Sequence, residues 1–469
     1  MIIEQLYTGC LSQGAYYIES NGEVAIIDPL REVGSYIRKA DDAGGKIKYI
    51  FETHFHADFV SGHVTLADRT GALIIYGPNA DPTFDCIIAT DEQEFTIGDL
   101  TIIVMHTPGH TMESTTYLLR DADGKDHAIF TGDTLFLGDV GRPDLSQKSD
   151  DMTMQDLAGI LYDSLRNKIM PLSDDVIVYP AHGAGSACGK NMMKETVDTL
   201  GNQKQMNYAL RADMTREEFI KEVTDGLGAP PAYFPANVKL NKSGYSDIEE
   251  VIHNSLVALS PPDFIATAKE KEALVLDVRT QDDFAAGHVP SSIFIGLNGS
   301  FAPWVGELIV DVYQPILLVV NAGQEKEAIT RLSRVGFDNV IGYLEGGIEA
   351  WKTGGQEIDR VESVDPNHLE SMYADICENI YDVRRLGEYT ASHISKAKHT
   401  SLGNINDYLD EFPKEENFYI HCAGGYRSMI TASILKSRGI HNLVNVTKGY
   451  DVIKNTSIPI DVACEASLT

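Results

Sequence analysis

The chain has 469 residues, with 38 Lys and Arg against 69 Asp and Glu, for a formal charge of −31. That length exceeds one ordinary domain, and a field of that sign repels phosphate backbones and anionic lipid, so neither nucleic acid nor a membrane is an expected partner. At 43% hydrophobic and 8% aromatic residues, the composition is that of folded domains and excludes wholesale disorder. No stretch approaches the roughly 18 apolar residues of a membrane span. The first residues, Met-Ile-Ile-Glu-Gln-Leu-Tyr, lack the basic and apolar regions of a signal peptide. Cys10, Cys86, Cys188, Cys377, Cys422 and Cys464 form no CxxC pair, so they read as reduced thiols and a cytoplasmic location is expected.

Over the first 240 or so residues, short apolar strands alternate with helices. Residues 23–28, 47–51, 72–76, 100–106, 128–131 and 176–179 read as buried strands. Several end in polar residues: Asp28, Thr53-His54, Thr107-Pro108-Gly109-His110, Gly132-Asp133 and Pro180-Ala181-His182. Strand ends are where a layered α/β enzyme gathers its chemistry. Residues 203–219 read as helix, with Pro230, Pro231 and Pro235 breaking the pattern, and a short helical connector follows from Lys242.

Beyond the connector lies an internal repeat of about a hundred residues, the size of a domain. Residues 274–279 (LVLDVR) match 380–384 (IYDVR), and Phe284 with His288 matches Tyr389 with His393. Residues 316–330 align with 418–431, which places Asn321 opposite Cys422. Each copy reads strand, Gly-containing turn, helix. The division expected is a first domain over 1–242, a linker over 243–262, and two α/β modules over 263–357 and 364–469.

In the first domain His54, His56, Asp58, His110, Asp133 and His182 are six metal-capable side chains on four strand ends. Imidazole and carboxylate suit zinc, iron or manganese, and no cysteine pattern suggests a structural zinc knot. The residue types alone do not choose which of them ligate. The HxHxD, PGH and GD elements in this order resemble the metallo-β-lactamase superfamily, through Asn237, which implies an αβ/βα sandwich. Phe59 stands where dinuclear hydrolases of that superfamily carry histidine; it cannot ligate, so a single metal is expected. The domain looks most like the persulfide dioxygenases. That resemblance implies one iron(II) per chain, zinc being the alternative, held by His54, His110 and Asp133, a 2-His-1-carboxylate set with open positions. His56, Asp58 and His182 then become residues that orient ligands or water. Arg142, in Gly141-Arg142-Pro143-Asp144, resembles the family's substrate-side arginine, with an ion pair to Asp139 or Asp144 as the competing reading. Cys188, six residues after His182 in a Gly-rich turn, is expected near the metal pocket as an acceptor or relay of sulfur, against a plain packing role.

Cys422-Ala423-Gly424-Gly425-Tyr426-Arg427-Ser428 lies between a strand and a helix, so its amides and the helix N-terminus favour a sulfur anion. This loop resembles the rhodanese active site, with Ser392 departing from the glycine usual before the histidine. Four residues separate Cys422 from Arg427, one fewer than in phosphatases of the same fold, which favours sulfur over phosphate transfer. Cys422 is the expected nucleophile, with Arg427 and the amides of 423–428 as the persulfide cradle. In the first module Asn321 cannot carry sulfur, and Glu325 and Glu327 put negative charge at the cradle; that module is expected to be non-catalytic.

The order of parts resembles persulfide dioxygenase–rhodanese fusions. It implies oxidation of a small persulfide of glutathione, coenzyme A or bacillithiol type by O₂ to sulfite, coupled to rhodanese transfer that makes or uses thiosulfate. Self-association into a homo-oligomer is also expected. The rival readings are a glyoxalase II-like thioester hydrolase, a single-zinc hydrolase and a sulfur-carrier protein with an inactive first domain.

Overall fold

The structure, a computed structural model, describes residues 1–145 and 152–463; Cys464 lies outside the described residues. The chain divides into two compact units, one built on residues 1–250 and the other on the chain from Val251 onward.

The first unit is built from two six-stranded sheets. One runs in the order Ile2–Thr8, Gln13–Ser20, Glu23–Ile27, Lys46–Phe51, Leu73–Tyr76, Ile87–Ile88. The other runs Asp198–Thr199, Ile177–Pro180, Asp126–Gly132, Thr115–Arg120, Leu100–His106, Glu94–Ile97. Side chains alternate across a strand, so each strand feeds two layers. Ile27 and Phe51 join Ile102, Val104, Tyr117 and Phe130 between the sheets. Their neighbours Ile26 and Ile50 face the helices Gly34–Ala43 and His63–Thr70, packing against Tyr36 and Leu66. Ile129 and Val178 face the helix Met154–Ser164 through Leu161. Strands buried on both faces read as continuous apolar runs, which is why these six were legible.

The half-exposed antiparallel strands Ile2–Thr8 and Glu94–Ile97, and Gln13–Ser20 and Thr115–Arg120 with their polar ends, carry a weaker signal and were missed. The helix expected over 203–219 is corrected. Leu200–Met206 and Arg216–Thr224 are separate helices joined by a 3₁₀ turn at Tyr208–Leu210, because Asn207 and Thr215 each cap a new start with their side chains. Pro235 does not break a helix; it occupies the first turn of Phe234–Ser243, where a missing N–H costs nothing.

The second unit holds two parallel five-stranded sheets of matching order. The first runs Ala258–Leu259, Val340–Leu344, Ile316–Val319, Leu274–Asp277, Ile293–Phe294. The second runs Ser363–Val364, Leu443–Val446, Phe418–His421, Ile380–Asp382, Lys398–His399. The repeat extends to side chains. Arg279 forks onto Asp277 and reaches Gly287 O, as Arg384 forks onto Asp382 and reaches Ser392 O. His288 stacks on Phe284 at 3.8 Å and His393 on Tyr389 at 3.9 Å. These repeated residues are therefore buttresses of the fold. No helix among the described residues is long and apolar enough to cross a membrane.

Candidate functional site

Four strand ends of the first unit converge. His54 follows Lys46–Phe51, His110 follows Leu100–His106, Asp133 follows Asp126–Gly132 and His182 follows Ile177–Pro180. Asp133 Oδ2 lies 3.4 Å from His110 Nε2 and 4.0 Å from His54 Nε2. Its other oxygen, Oδ1, lies 3.5 Å from His182 Nε2, which is 3.4 Å from Asp58 Oδ2. Two glycines permit this approach. A Cβ on Gly132, at φ +52°, would strike Thr53, and one on Gly141 would lie 2.0 Å from Asp133 O.

The ring nitrogens facing away from the cluster are spoken for. His110 Nδ1 donates to Arg142 O at 2.8 Å and His182 Nδ1 to Ser12 O at 3.3 Å. His54 Nδ1 contacts Thr53 Oγ1 at 3.0 Å, and that hydroxyl donates to Asp28 Oδ2, so it accepts from the ring. This pattern assigns the Nε2 lone pair of all three rings to the cluster interior. His110 Nε2, His182 Nε2 and both Asp133 oxygens have no hydrogen-bond partner although buried, a state that a bound cation resolves. Burial and the neighbouring His56, His110 and His182 hold His54 well below the usual imidazole range, leaving it neutral as a ligand must be. The residues therefore fit a metal ion: His54, His110 and Asp133 form one candidate group, and His56, Asp58 and His182 another.

His56 lies 3.1 Å from Asp28 and 3.6 Å from Glu52. Burial alone would lower it, but Asp28, Glu52 and Asp58 outweigh that and push it up to about 9. Phe59 fills the adjoining space with its ring 4.3 Å from that of His56.

Several residues that hold the site were not singled out from sequence. Asn241 donates to His56 O and Phe59 O and accepts from Ser61 N–H. Asp28 accepts from Thr53 N–H, and Glu113 accepts from Phe55 N–H. Asp28 carries the polar strand-end signal read in the sequence but was given no role there; Asn241, at least 180 residues from the loop it clamps, carries no signal.

Arg142 takes the competing reading. Its guanidinium forks onto Asp144 at 2.6 and 2.7 Å and reaches Gly228 O and Ala187 O, while Asp139 is taken by Tyr208 and the amides of Lys190 and Asn191. Arg142 therefore acts as a brace: its carbonyl fixes His110 and its amide binds Cys188 O at 2.9 Å. Cys188 does lie at the metal pocket, grouped with Asp133 and His182. Burial, then Asp58 and Asp133, push its thiol well above the ordinary value, which opposes the role of sulfur acceptor or relay.

In the second unit Cys422 is buried between Phe418–His421 and Tyr426–Ser437. Its sulfur accepts from Gly425 N–H at 3.1 Å and lies 3.6 Å from Ser428 Oγ. Gly425, at φ +98°, turns that amide inward. Ala423 and Gly424 complete the turn, and the Ala423 carbonyl accepts from Asp451 N–H. Arg427 forks onto Glu388 at 2.6 and 2.8 Å and lies close enough to Cys422 to interact with it electrostatically. Tyr426 turns aside, donating to Gly296 O of the preceding module at 2.6 Å. In that module Gly323 N–H donates to Glu325 Oε2 at 2.9 Å, so the turn carries a carboxylate of its own on an amide of the cradle. Glu327 pairs instead with Arg331 at 2.6 Å.

A cluster of metal-capable side chains at the strand ends of a helix-flanked double sheet, followed by two parallel α/β modules, is the layout of a metallo-β-lactamase fold joined to tandem rhodanese-like domains. Family models agree: residues 8–182 match the metallo-β-lactamase superfamily, and 260–353 and 365–456 match the rhodanese-like domain. A solved structure described as a metallo-β-lactamase from Staphylococcus aureus is 30% identical, covering 73% of this chain and 98% of its own, with a TM-score of 0.65. The chain belongs to the metallo-β-lactamase superfamily, and two rhodanese-like domains follow, the first with Asn321 at the position of the second one's Cys422. The mouse mitochondrial persulfide dioxygenase ETHE1 is 29% identical over 210 residues, 44% of this chain and 73% of that protein. The cytoplasmic hydroxyacylglutathione hydrolase of Arabidopsis thaliana is 33% identical over 138 residues, 28% of this chain, and the chain spans only 53% of that relative's length.

Proposed function

We propose that the first unit is a non-heme iron persulfide dioxygenase and the last module a rhodanese, acting together in cytoplasmic sulfide detoxification. The observation that carries this reading is the buried His54–His110–Asp133 set, with lone pairs directed inward and Phe59 in place of a further imidazole. Iron(II) held by these three would supply oxygen activation and a position for the sulfur anion. The chain's own residues set the rest. Thr53 and the Arg142 carbonyl fix the two imidazoles, Asp133 brings negative charge to the cation, and the Phe59 ring packs beside His56.

The overall change is R–S–SH + O₂ + H₂O to R–SH + sulfite + 2 H⁺, in which the terminal sulfur is oxidised and O₂ reduced. At Cys422 a persulfide sulfur passes to sulfite, the S–S bond breaks toward the cysteine, and thiosulfate forms; the reverse step loads the cysteine. The Gly425 amide steadies the sulfur anion.

The deciding experiment is oxygen uptake by anaerobically purified, iron(II)-loaded protein on adding glutathione persulfide or coenzyme A persulfide. Uptake with sulfite or thiosulfate appearing is expected; none from folded, iron-loaded protein with either carrier overturns the reading. Cys422→Ser should abolish sulfur transfer and spare oxygen uptake from added persulfide. The Arabidopsis hydrolase likeness favours a second reading, thioester hydrolysis, which the same protein tests with S-lactoylglutathione.

A further inference from the structure

The helix Tyr426–Ser437, which opens at the Cys422 loop, is buried over the whole run 428–435. A helix covered all round has more than one neighbour. It packs on its own strands Phe418–His421 and Leu443–Val446, and also on Ile293–Phe294 of the cysteine-less module. Three side chains make that crossing. Tyr426 Oη donates to Gly296 O at 2.6 Å, Ser433 Oγ accepts from Phe294 N–H at 2.9 Å, and Lys436 Nζ lies 3.1 Å from Asp359 Oδ1. Their spacing along the chain puts all three on one face of the helix. With Asn321 opposite Cys422, the matching positions in the first module are Glu325, Leu332 and Val335. None of those carries a phenol, a hydroxyl or an ammonium, so the crossing belongs to the cysteine-bearing copy.

Tyr426 stands apart from the other two. It is the first residue of the helix and follows Gly425, whose N–H donates to the Cys422 sulfur at 3.1 Å. Its ring lies against Gly299, where a Cβ would fall 2.4 to 2.7 Å from three ring carbons, and Phe294 meets it edge-on with centroids 5.8 Å apart. Only glycine at 299 lets the ring come this close to the backbone. Gly425, at φ +98°, has wide conformational freedom. An amide on such a residue points steadily at the sulfur only when the chain beside it is held. A bond meant merely to join two modules could sit anywhere along the helix; this one sits beside the amide that holds the sulfur.

We propose that the cysteine-less module is the positioning half of the sulfur-transfer site: Gly296 O and Gly299 fix Tyr426, and Tyr426 fixes the Gly425 amide against the Cys422 sulfur. Tyr426 and Gly299 are positioning residues that act through Gly425. A donor held in place before the anion forms costs no reorganisation when it does. The Asn321 module thus takes part in sulfur transfer without a sulfur-bearing group of its own. The inference rests on the reading of the last module as a rhodanese.

The test uses the full-length protein and two readouts at Cys422. One is the pH profile of its alkylation by iodoacetamide, followed by mass spectrometry of the peptide that carries it; the other is thiosulfate sulfurtransferase kinetics. Gly299→Ala, which drives a methyl group into the Tyr426 ring, should move the midpoint of the profile up. Alkylation on the rising limb should slow about tenfold, the scale of one hydrogen bond to an anion. The kcat should fall by the same order, with the KM for thiosulfate changing less. Ser433→Ala removes a hydrogen bond of the same interface farther from the loop, and should lower the urea midpoint without moving the profile. An unmoved profile in folded Gly299→Ala, or an equal movement in Ser433→Ala, overturns the proposal. Should Gly299→Ala misfold, Tyr426→Phe decides. It removes only the bond to Gly296 O and should slow alkylation about threefold in the same limb; no change overturns the proposal. Alkylation needs no turnover, so a wild-type protein that moves no sulfur from thiosulfate would end the rhodanese reading while the profile still reports on the coupling.

Discussion

Arg427 meets Glu388 through two parallel hydrogen bonds, Nη1 to Oε2 at 2.6 Å and Nη2 to Oε1 at 2.8 Å. The fork ties the helix Tyr426–Ser437, which begins at the cysteine loop, to the helix Leu386–Ala391. Charge-assisted pairs of this kind contribute about 1.5–3 kcal/mol. Glu388→Gln and Arg427→Lys should each lower kcat/KM for sulfur transfer about tenfold or more, the scale set by about 1.4 kcal/mol per decade. Because both remove the same fork, the double variant should be little worse than either single one. A double-mutant cycle on thiosulfate sulfurtransferase kinetics measures this, and additive losses would show that the two residues act separately.

Arg142 links three things at once: the Asp144 carboxylate, the His110 ring and the turn bearing Cys188. Partners that orient a metal-binding histidine are worth about 10–100-fold in metal affinity. Arg142→Ala keeps the carbonyl that orients His110 but removes the guanidinium brace on Asp144, Ala187 and Gly228 that positions it, so iron(II) binding should weaken by no more than that order while the KM for persulfide changes less. Competition with a chelator gives the affinity. A large rise in KM with unchanged iron affinity would return Arg142 to a substrate-binding role.

The cysteine-less module offers a gain-of-function test. Asn321→Cys alone should not take up sulfur, since the Glu325 carboxylate already accepts the Gly323 amide. Asn321→Cys with Glu325→Ala frees that amide and should form a persulfide on incubation with thiosulfate. Intact-mass measurement in the Cys422→Ser background reads one added sulfur. Equal loading of the single and double variants would show that the carboxylate does not block the turn.

His288 is 1% exposed and stacks on Phe284. Burial pushes it down to about 4. The unfolded chain titrates near 6.5, so below that pH it binds a proton that the folded state refuses. Stability of the second unit should be full above about pH 6.5 and fall as pH drops toward 4, by up to roughly 3 kcal/mol. His288→Asn should flatten that slope in urea-melt midpoints taken from pH 7 to 4. An unchanged slope would place the acid sensitivity elsewhere.

Much of this molecule was legible in one dimension because its chemistry sits at the ends of apolar strands. A strand covered on both faces writes a continuous hydrophobic run, as at Leu100–His106, and the polar residue that ends it marks the pocket. The repeat was legible for a related reason: Asp277 with Arg279, and Phe284 with His288, interact within eight residues or fewer of chain, so their spacing survives in both copies. Strands with an exposed face and helix starts set by single capping side chains leave fainter traces, which is why residues 203–219 read as one helix.

The sequence by itself determined which residue types are present for metal and sulfur chemistry, their order along the chain, and that Asn321 cannot do the work of Cys422. Only the tertiary structure decided their partners. It gave Arg142 to Asp144 and Arg427 to Glu388, set Glu325 against the Gly323 amide, and carried Cys188 to Asp133 across more than fifty residues. The physical reason is that a donor atom's role is fixed by what lies within a few ångströms of it in space, and hydrogen bonds and ion pairs fall away over that distance whatever the separation along the chain.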